Sequence, residues 1–295
     1  MSGLALSLVL LAALIHATWN YFLKRANANR TFWWVVYIIT AAITLPAVLL
    51  FDSDAFSQVT RTGWLVILLS APIHVLYGVI LQTGYRYSDY SVVYPTARGT
   101  GPLITVIAAV LILGNAPTVS GWIGIALILL GIVLLARPEH SQAAVAAHVK
   151  TGLFWGTLTG LCIAGYSFCD AWAVQQETGL TPITFYFPSI AMRAVVFTPF
   201  ILMRPRWREE VRELFRLSKV RQAVAVVTVG SPGAYILVLF AMTMAPLAYV
   251  APTREVGMMA GVILGGLLLK EKLSVKRLLG VLGMTLGVVA IGLSS

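Results

Sequence analysis

Apolar residues run in blocks of about twenty along the chain, each closed by a short polar or basic stretch. Ten blocks lie at 3–23, 32–51, 63–85, 90–113, 119–136, 152–174, 183–203, 222–243, 247–269 and 278–293. A helix of about 20 apolar residues crosses the ~30 Å hydrocarbon core of a bilayer. The ten-residue alternation of a membrane β-barrel strand does not occur. The pattern predicts an all-α integral membrane protein with ten transmembrane helices. The first block has no basic segment before it and ends at Lys24-Arg25 instead of a small-residue cleavage site, so it reads as a retained helix. Between the seventh and eighth blocks, Trp207, Val211, Leu214, Phe215 and Ser218 share one helical face opposite Arg and Glu, the pattern of a short interfacial helix.

The blocks repeat. Thr31-Phe32-Trp33-Trp34 with Pro46 recurs 153 residues later as Thr184-Phe185-Tyr186-Phe187 with Pro199. Pro72 matches Pro232, and Gly124 and Gly131 match Gly280 and Gly287. Pro95-Thr96 matches Pro252-Thr253, with Arg98 standing where Glu255 stands, and Trp19-Asn20 fall over Tyr166-Ser167. The chain therefore divides into two related halves, 1–140 and 150–295. Five spans per half is an odd number, so the halves insert with opposite orientation, and a substrate site is expected at their interface near mid-membrane.

Composition agrees with the pattern: 59% of the 295 residues are hydrophobic and 11% charged, against about 25% charged in a soluble domain. The net charge of +10 is not a nucleic-acid footprint, because 17 of the 21 Lys and Arg residues sit in the odd-numbered loops and only Arg61 in an even one. Basic loops face the cytoplasm. This places the odd loops inside and both termini outside a bacterial-type inner membrane. Cys162 and Cys169 are two helical turns apart, about 10 Å, too far to bridge.

Few polar groups lie deep in the spans. Trp19, Asn20 and His16 are on the first; Ser70, His74 and Tyr77 share one face of the third; Tyr94 and Arg98 are one turn apart on the fourth. Tyr166 and Asp170 are one turn apart on the sixth; Arg193 is on the seventh; Ser231 and Tyr235 are on the eighth; Tyr249, Arg254 and Glu255 are on the ninth. Charges at membrane depth normally face a protein interior or a watery cavity. The planar forks of Arg98 and Arg254 suit a carboxylate ligand, or else they are neutralised internally by Glu255 or Asp170. Three arginines against two acids leave one positive charge, which favours an anionic or zwitterionic ligand. Trp19, Tyr94, Tyr166, Tyr235 and Tyr249 are candidate stacking surfaces, and His74 with Tyr77 a polar wall or proton relay. Asp170 or Glu255 suits an amine or a proton. The glycine strips Gly152/Gly156/Gly160 and Gly257/Gly261/Gly265 read as helix-packing surfaces. No HExxH, phosphate loop or GxSxG occurs, so neither an enzyme, a cofactor nor a metal is expected. The expected partners are a small-molecule substrate and membrane lipid, with no nucleic acid; the sequence does not set the oligomeric state.

The two-repeat plan, the Ala-Pro-Thr-Arg-Glu-Val run at 251–256, the Lys-Glu-Lys-Leu-Ser run at 270–274, the Gly280/Gly287 spacing and mid-span Arg193 resemble the drug/metabolite transporter superfamily. Within it, the resemblance is to the ten-helix group built from two EamA-type repeats, nearest the amino-acid exporters. The first half departs from the pattern, with Asn115 where Glu271 would be and Thr40 where Arg193 would be. The resemblance implies a basket-shaped fold with spans 1, 3, 4, 6, 8 and 9 around a central cavity and spans 5 and 10 outside it. Glu271 then becomes a structural residue at the membrane edge. Many relatives keep their termini inside; the loop charges of this chain point the other way. An arginine for a carboxylate, an acid for an amine and several aromatics suit export of a neutral amino acid, bulky or aromatic. Efflux of drugs or aromatic cations is the alternative, and a non-transporting membrane protein is the third reading. Helix breaks are expected at Pro72, Pro95, Pro232 and Pro252.

Overall fold

The computed structural model describes residues 1–26, 29–51, 54–136, 146–259 and 274–294. The described chain forms eleven helices and no strand: α1 (Gly3–Ala26), α2 (Arg30–Phe51), α3 (Arg61–Tyr87), α4 (Tyr90–Leu111), α5 (Val119–Ala136), α6 (Ala146–Gln175), α7 (Pro182–Leu202), α8 (Trp207–Arg216), α9 (Ser218–Met244), α10 (Leu247–Arg254) and α11 (Val275–Gly292). Seven of these, α1, α2, α3, α6, α7, α9 and α11, are long and apolar enough to cross a membrane, and α5 is a shorter apolar helix. The second part of the expected ninth span, with Gly261 and Gly265, and the 270–273 run lie outside the described residues. Helices overrun their apolar blocks at several ends because interfacial polar residues extend the same hydrogen-bond ladder.

The packing repeats as the sequence does. Helix α3 lies against α6, and the corresponding α9 lies against α1. Likewise α4 packs on α6 and α10 on α1, while α2·α7, α4·α10 and α5·α11 are each contacts between equivalent helices. The last of these can be followed atom by atom. A Cβ on Gly124 would lie 2.6 Å from the Gly287 carbonyl, and one on Gly287 would lie 2.7 Å from the Gly124 carbonyl. Gly131 and Gly280 face each other in the same way, at 2.8 and 3.0 Å. Residue 124 opposite 287 and 131 opposite 280 means that α5 and α11 run antiparallel, so the two halves are inverted along this seam. Leu278, Leu279, Leu282, Leu286 and Val289 leave the outer face of α11 apolar and exposed, as lipid contact requires.

On α6 the strip Gly152, Gly156 and Gly160 receives Val92, Thr96 and Thr100 of α4 at less than 3 Å from any added Cβ, confirming its packing role. The turn after α6 is pinned to the segment before α3. Thr60 donates both its amide and its hydroxyl to the Thr178 carbonyl, and Gly179, at φ +71°, presses on the Gln58 carbonyl. The interfacial helix α8 anchors to the start of α2: Glu210 accepts from Arg204 at 2.7 Å and from the Thr31 hydroxyl, and Trp207 meets Trp34 edge-on.

Three of the four expected helix breaks are not formed. α3, α4 and α9 continue through Pro72, Pro95 and Pro232. A proline removes one amide and orphans one carbonyl, and the packed neighbour can supply the missing donor. At Pro232 the freed Thr228 carbonyl accepts from the Thr40 hydroxyl of α2 at 3.4 Å. Only after Pro252 does the helix stop: α10 ends at Arg254 and residues 255–256 form a turn.

Candidate functional site

The interruption after α10 sets the site. Glu255 occupies the helix C-cap, its amide reaching back to the Pro252 carbonyl at 3.0 Å. Its side chain is buried to 2% exposure and meets two guanidinium groups. Arg98 of α4 donates from Nη1 to Oε2 at 2.9 Å, and Nε of the adjacent Arg254 lies 3.9 Å from Oε1. One carboxylate thus bridges an arginine from each half. Arg98 also lies over the Tyr94 ring at 5.5 Å, and Arg254 over Tyr166 at 5.9 Å, with its Nη2 donating to the Tyr166 hydroxyl at 3.4 Å.

Tyr166 carries this cluster into a second one. Its ring stacks on His74 at 4.0 Å and meets Tyr77 edge-on at 5.7 Å. His74 Nε2 stands 3.6 Å from Oδ2 of Asp170, which is completely buried. The hydroxyls of Ser70 and Tyr235 both donate to Asp170, one to each oxygen. Three elements that are distant in sequence, α3, α6 and α9, therefore converge on one carboxylate. Beyond Tyr235, Arg193 lies over the rings of Tyr186 and Tyr235 at 5.7 and 5.9 Å, and its Nη2 donates to Ser189 at 3.2 Å.

Of the residues singled out from sequence, nine lie in this chain of contacts: His74, Tyr77, Tyr94, Arg98, Tyr166, Asp170, Tyr235, Arg254 and Glu255. Three lie elsewhere. Trp19 is buried in the apolar seam of α1, α2 and α9, edge-on to Trp33 and against Gly230. The Asn20 amide donates to the His16 carbonyl of its own helix at 2.8 Å. The Tyr249 hydroxyl accepts from the Thr118 amide at 3.0 Å beside Gly121 of α5. Tyr249 precedes Arg254 by five residues, which turns it about 140° around the helix axis.

Ser70 and Arg193 were visible in the sequence as buried polar positions, but their contacts were not, and Tyr186 gave no signal inside its apolar block. Arg98 and Arg254 both face Glu255, while Asp170 accepts from the Ser70 and Tyr235 hydroxyls beside His74. Among the described residues no three His, Cys, Asp or Glu side chains are grouped to hold a metal ion.

A polar thread thus lies where apolar helices of the two halves meet. The chain belongs to the EamA-like transporter family, whose model matches twice, over residues 3–137 and 150–293; it is thus an EamA-type member of the drug/metabolite transporter superfamily. A solved structure described only as "Crystal structure of protein" is similar at TM-score 0.79, covering 99% of this chain and 98% of that chain at 14% identity. At that identity the likeness concerns the fold. No curated protein matches the chain significantly.

Proposed function

We propose that the protein exports neutral amino acids, bulky or aromatic, by alternating access. The observation that carries this reading is the sharing of Glu255 between Arg98 and Arg254. One carboxylate serves two partly buried guanidinium groups, so a substrate carboxylate supplies the second anion. As it takes one arginine, Glu255 is released to receive the substrate ammonium, and Tyr94, Tyr166 and Tyr77 line the route for an apolar or aromatic side chain. Efflux of aromatic cations fits less well. A cation would have to displace guanidinium from Glu255, or hydroxyl donors from the fully buried Asp170.

In this reading the chain forms ten spans in two inverted halves, 1–140 and 150–295, arranged as a basket. It sits in a bacterial-type inner membrane with the odd loops cytoplasmic. The halves rock about the Arg98–Glu255–Arg254 bridge, which is a contact between them.

Counterflow tests the function. Proteoliposomes preloaded with mixed unlabelled amino acids are given labelled Phe, Leu, Met, Thr and Lys in turn. Saturable uptake of Phe, Leu or Met is expected; no uptake across the panel, with folded protein, overturns the proposal.

A further inference from the structure

At the centre of the molecule two proton-accepting atoms face each other. As a carboxylate, the fully buried Asp170 takes the Ser70 hydroxyl proton at Oδ1 and the Tyr235 hydroxyl proton at Oδ2. Serine has only one such proton. With it committed, the Ser70 hydroxyl and carbonyl oxygens present only lone pairs to His74 Nδ1, at 3.2 and 3.1 Å. Nδ1 must therefore be the protonated nitrogen of His74, which leaves a bare lone pair on Nε2 of the neutral ring. That nitrogen is buried, has no hydrogen-bond partner among the described residues, and points at Asp170 Oδ2 from 3.6 Å. Lone pair against carboxylate is unfavourable in a dry interior; one more proton between them turns the contact into a charge-assisted hydrogen bond.

We propose that His74 and Asp170 form a one-proton site. A water-borne proton enters between Nε2 and Oδ2 from one side of the membrane and returns to water on the other. No bond other than to this proton forms or breaks. The charged groups acting on the pair are Arg193 from α7 and Arg254 from α10, and its titratable neighbours are Tyr166, Tyr235, Tyr186 and Cys169. Arg254 is the link to substrate. Its guanidinium touches both Glu255 and Tyr166, and Tyr166 stacks on the His74 ring. Tyr166 and Arg254 thus carry the gain of a proton at His74 to the substrate carboxylate. As a coupling site this rests on the transporter reading above; as a proton site it does not.

The test has two arms. In the first, infrared pH-difference spectra of the full chain in liposomes, without substrate, are recorded across about pH 4 to 9, the range that spans carboxyl and imidazole titration. A titrating carboxyl or imidazolium signal is expected that disappears in both Asp170→Asn and His74→Gln; identical spectra in wild type and both variants overturn the site. Should either variant fail to fold, Tyr235→Phe removes one donor to Oδ2 and displaces the midpoint; an unmoved midpoint counts against the site. In the second arm, a pH step of one unit is imposed across proteoliposomes. One-to-one coupling sets a steady-state substrate ratio of about tenfold, falling to unity in the variants, and a steady-state ratio does not depend on how fast a variant works. Wild type at unity, with counterflow intact, overturns the coupling. If no amino acid is carried at all, the substrate reading falls and the infrared arm alone decides the proton site.

Discussion

Glu255 holds two arginines and each arginine holds a tyrosine, so the three charged side chains act as a unit. Removing one member of a buried charge cluster leaves the rest uncompensated, a cost of about 3–5 kcal/mol. Glu255→Gln is therefore expected to lower the thermal stability of the purified protein, and a melting curve matching wild type would show that the bridge is not structural. Arg254→Gln removes a different quantity. Loss of a buried charge-paired contact to substrate costs about 2–5 kcal/mol, so kcat/KM for amino-acid export should fall by about 30-fold or more. Unchanged transport by this variant would end the carboxylate-clamp reading. Trp19→Phe, in the apolar seam, should leave the substrate KM within about twofold while lowering stability, since it touches none of the charged groups.

The legibility of the site differs residue by residue. Arg98, Arg254, Glu255 and Asp170 stood out because a charge in an apolar block has few cheap explanations. His74 with Tyr77 and Tyr166 with Asp170 were grouped by helical spacing alone, which fixes the face a residue occupies. Spacing does not say what lies opposite that face. Trp19 and Tyr249 look the same as Tyr166 along the sequence, but one fills an apolar seam and the other binds the Thr118 amide at the end of α5.

Among the elements, α5 and α11 meet backbone to backbone through Gly124, Gly131, Gly280 and Gly287, with carbonyls where a Cβ would fall. Gly131→Val forces the pair apart along the whole seam. The expected result is a large loss of stability, with Gly283→Val, whose Cβ would meet the Leu127 carbonyl at a relaxed 3.5 Å, doing much less. Equal melting temperatures for the two variants would contradict this packing. At the start of α10, Asn115 Oδ1 accepts from the Ala248 amide at 3.2 Å, one of the orphan donors of a helix N-terminus. Asn115, the residue that departs from the repeat, thus caps the broken helix of the other half. Asn115→Ala should cost about 1 kcal/mol, read as a lower melting temperature.

At the scale of the whole molecule, the proposed orientation rests on loop charge. With odd loops cytoplasmic, Arg208→Cys on α8 should react with a membrane-impermeant maleimide only after the membrane is opened, whereas Asp54→Cys, between α2 and α3, should react in intact cells. The reverse labelling would invert the topology. The antiparallel α5–α11 seam survives either outcome, because it is internal to the fold.

The sequence alone determined that the chain lives in a membrane, that its apolar blocks are helices, that it is built twice over and that its two halves oppose each other. These follow from local quantities: hydropathy over twenty residues, helical period, and parity of span number. Tertiary structure decided which polar residues meet. It placed Glu255 between arginines of both halves, joined Ser70, Asp170 and Tyr235 from three helices, and sent Trp19, Asn20 and Tyr249 elsewhere. It also decided that Pro232 leaves α9 intact, because Thr40 on another helix supplies a donor to the freed carbonyl, while the chain after Pro252 turns. Such contacts depend on the crossing of helices far apart in the chain, and no window of neighbouring residues contains that information.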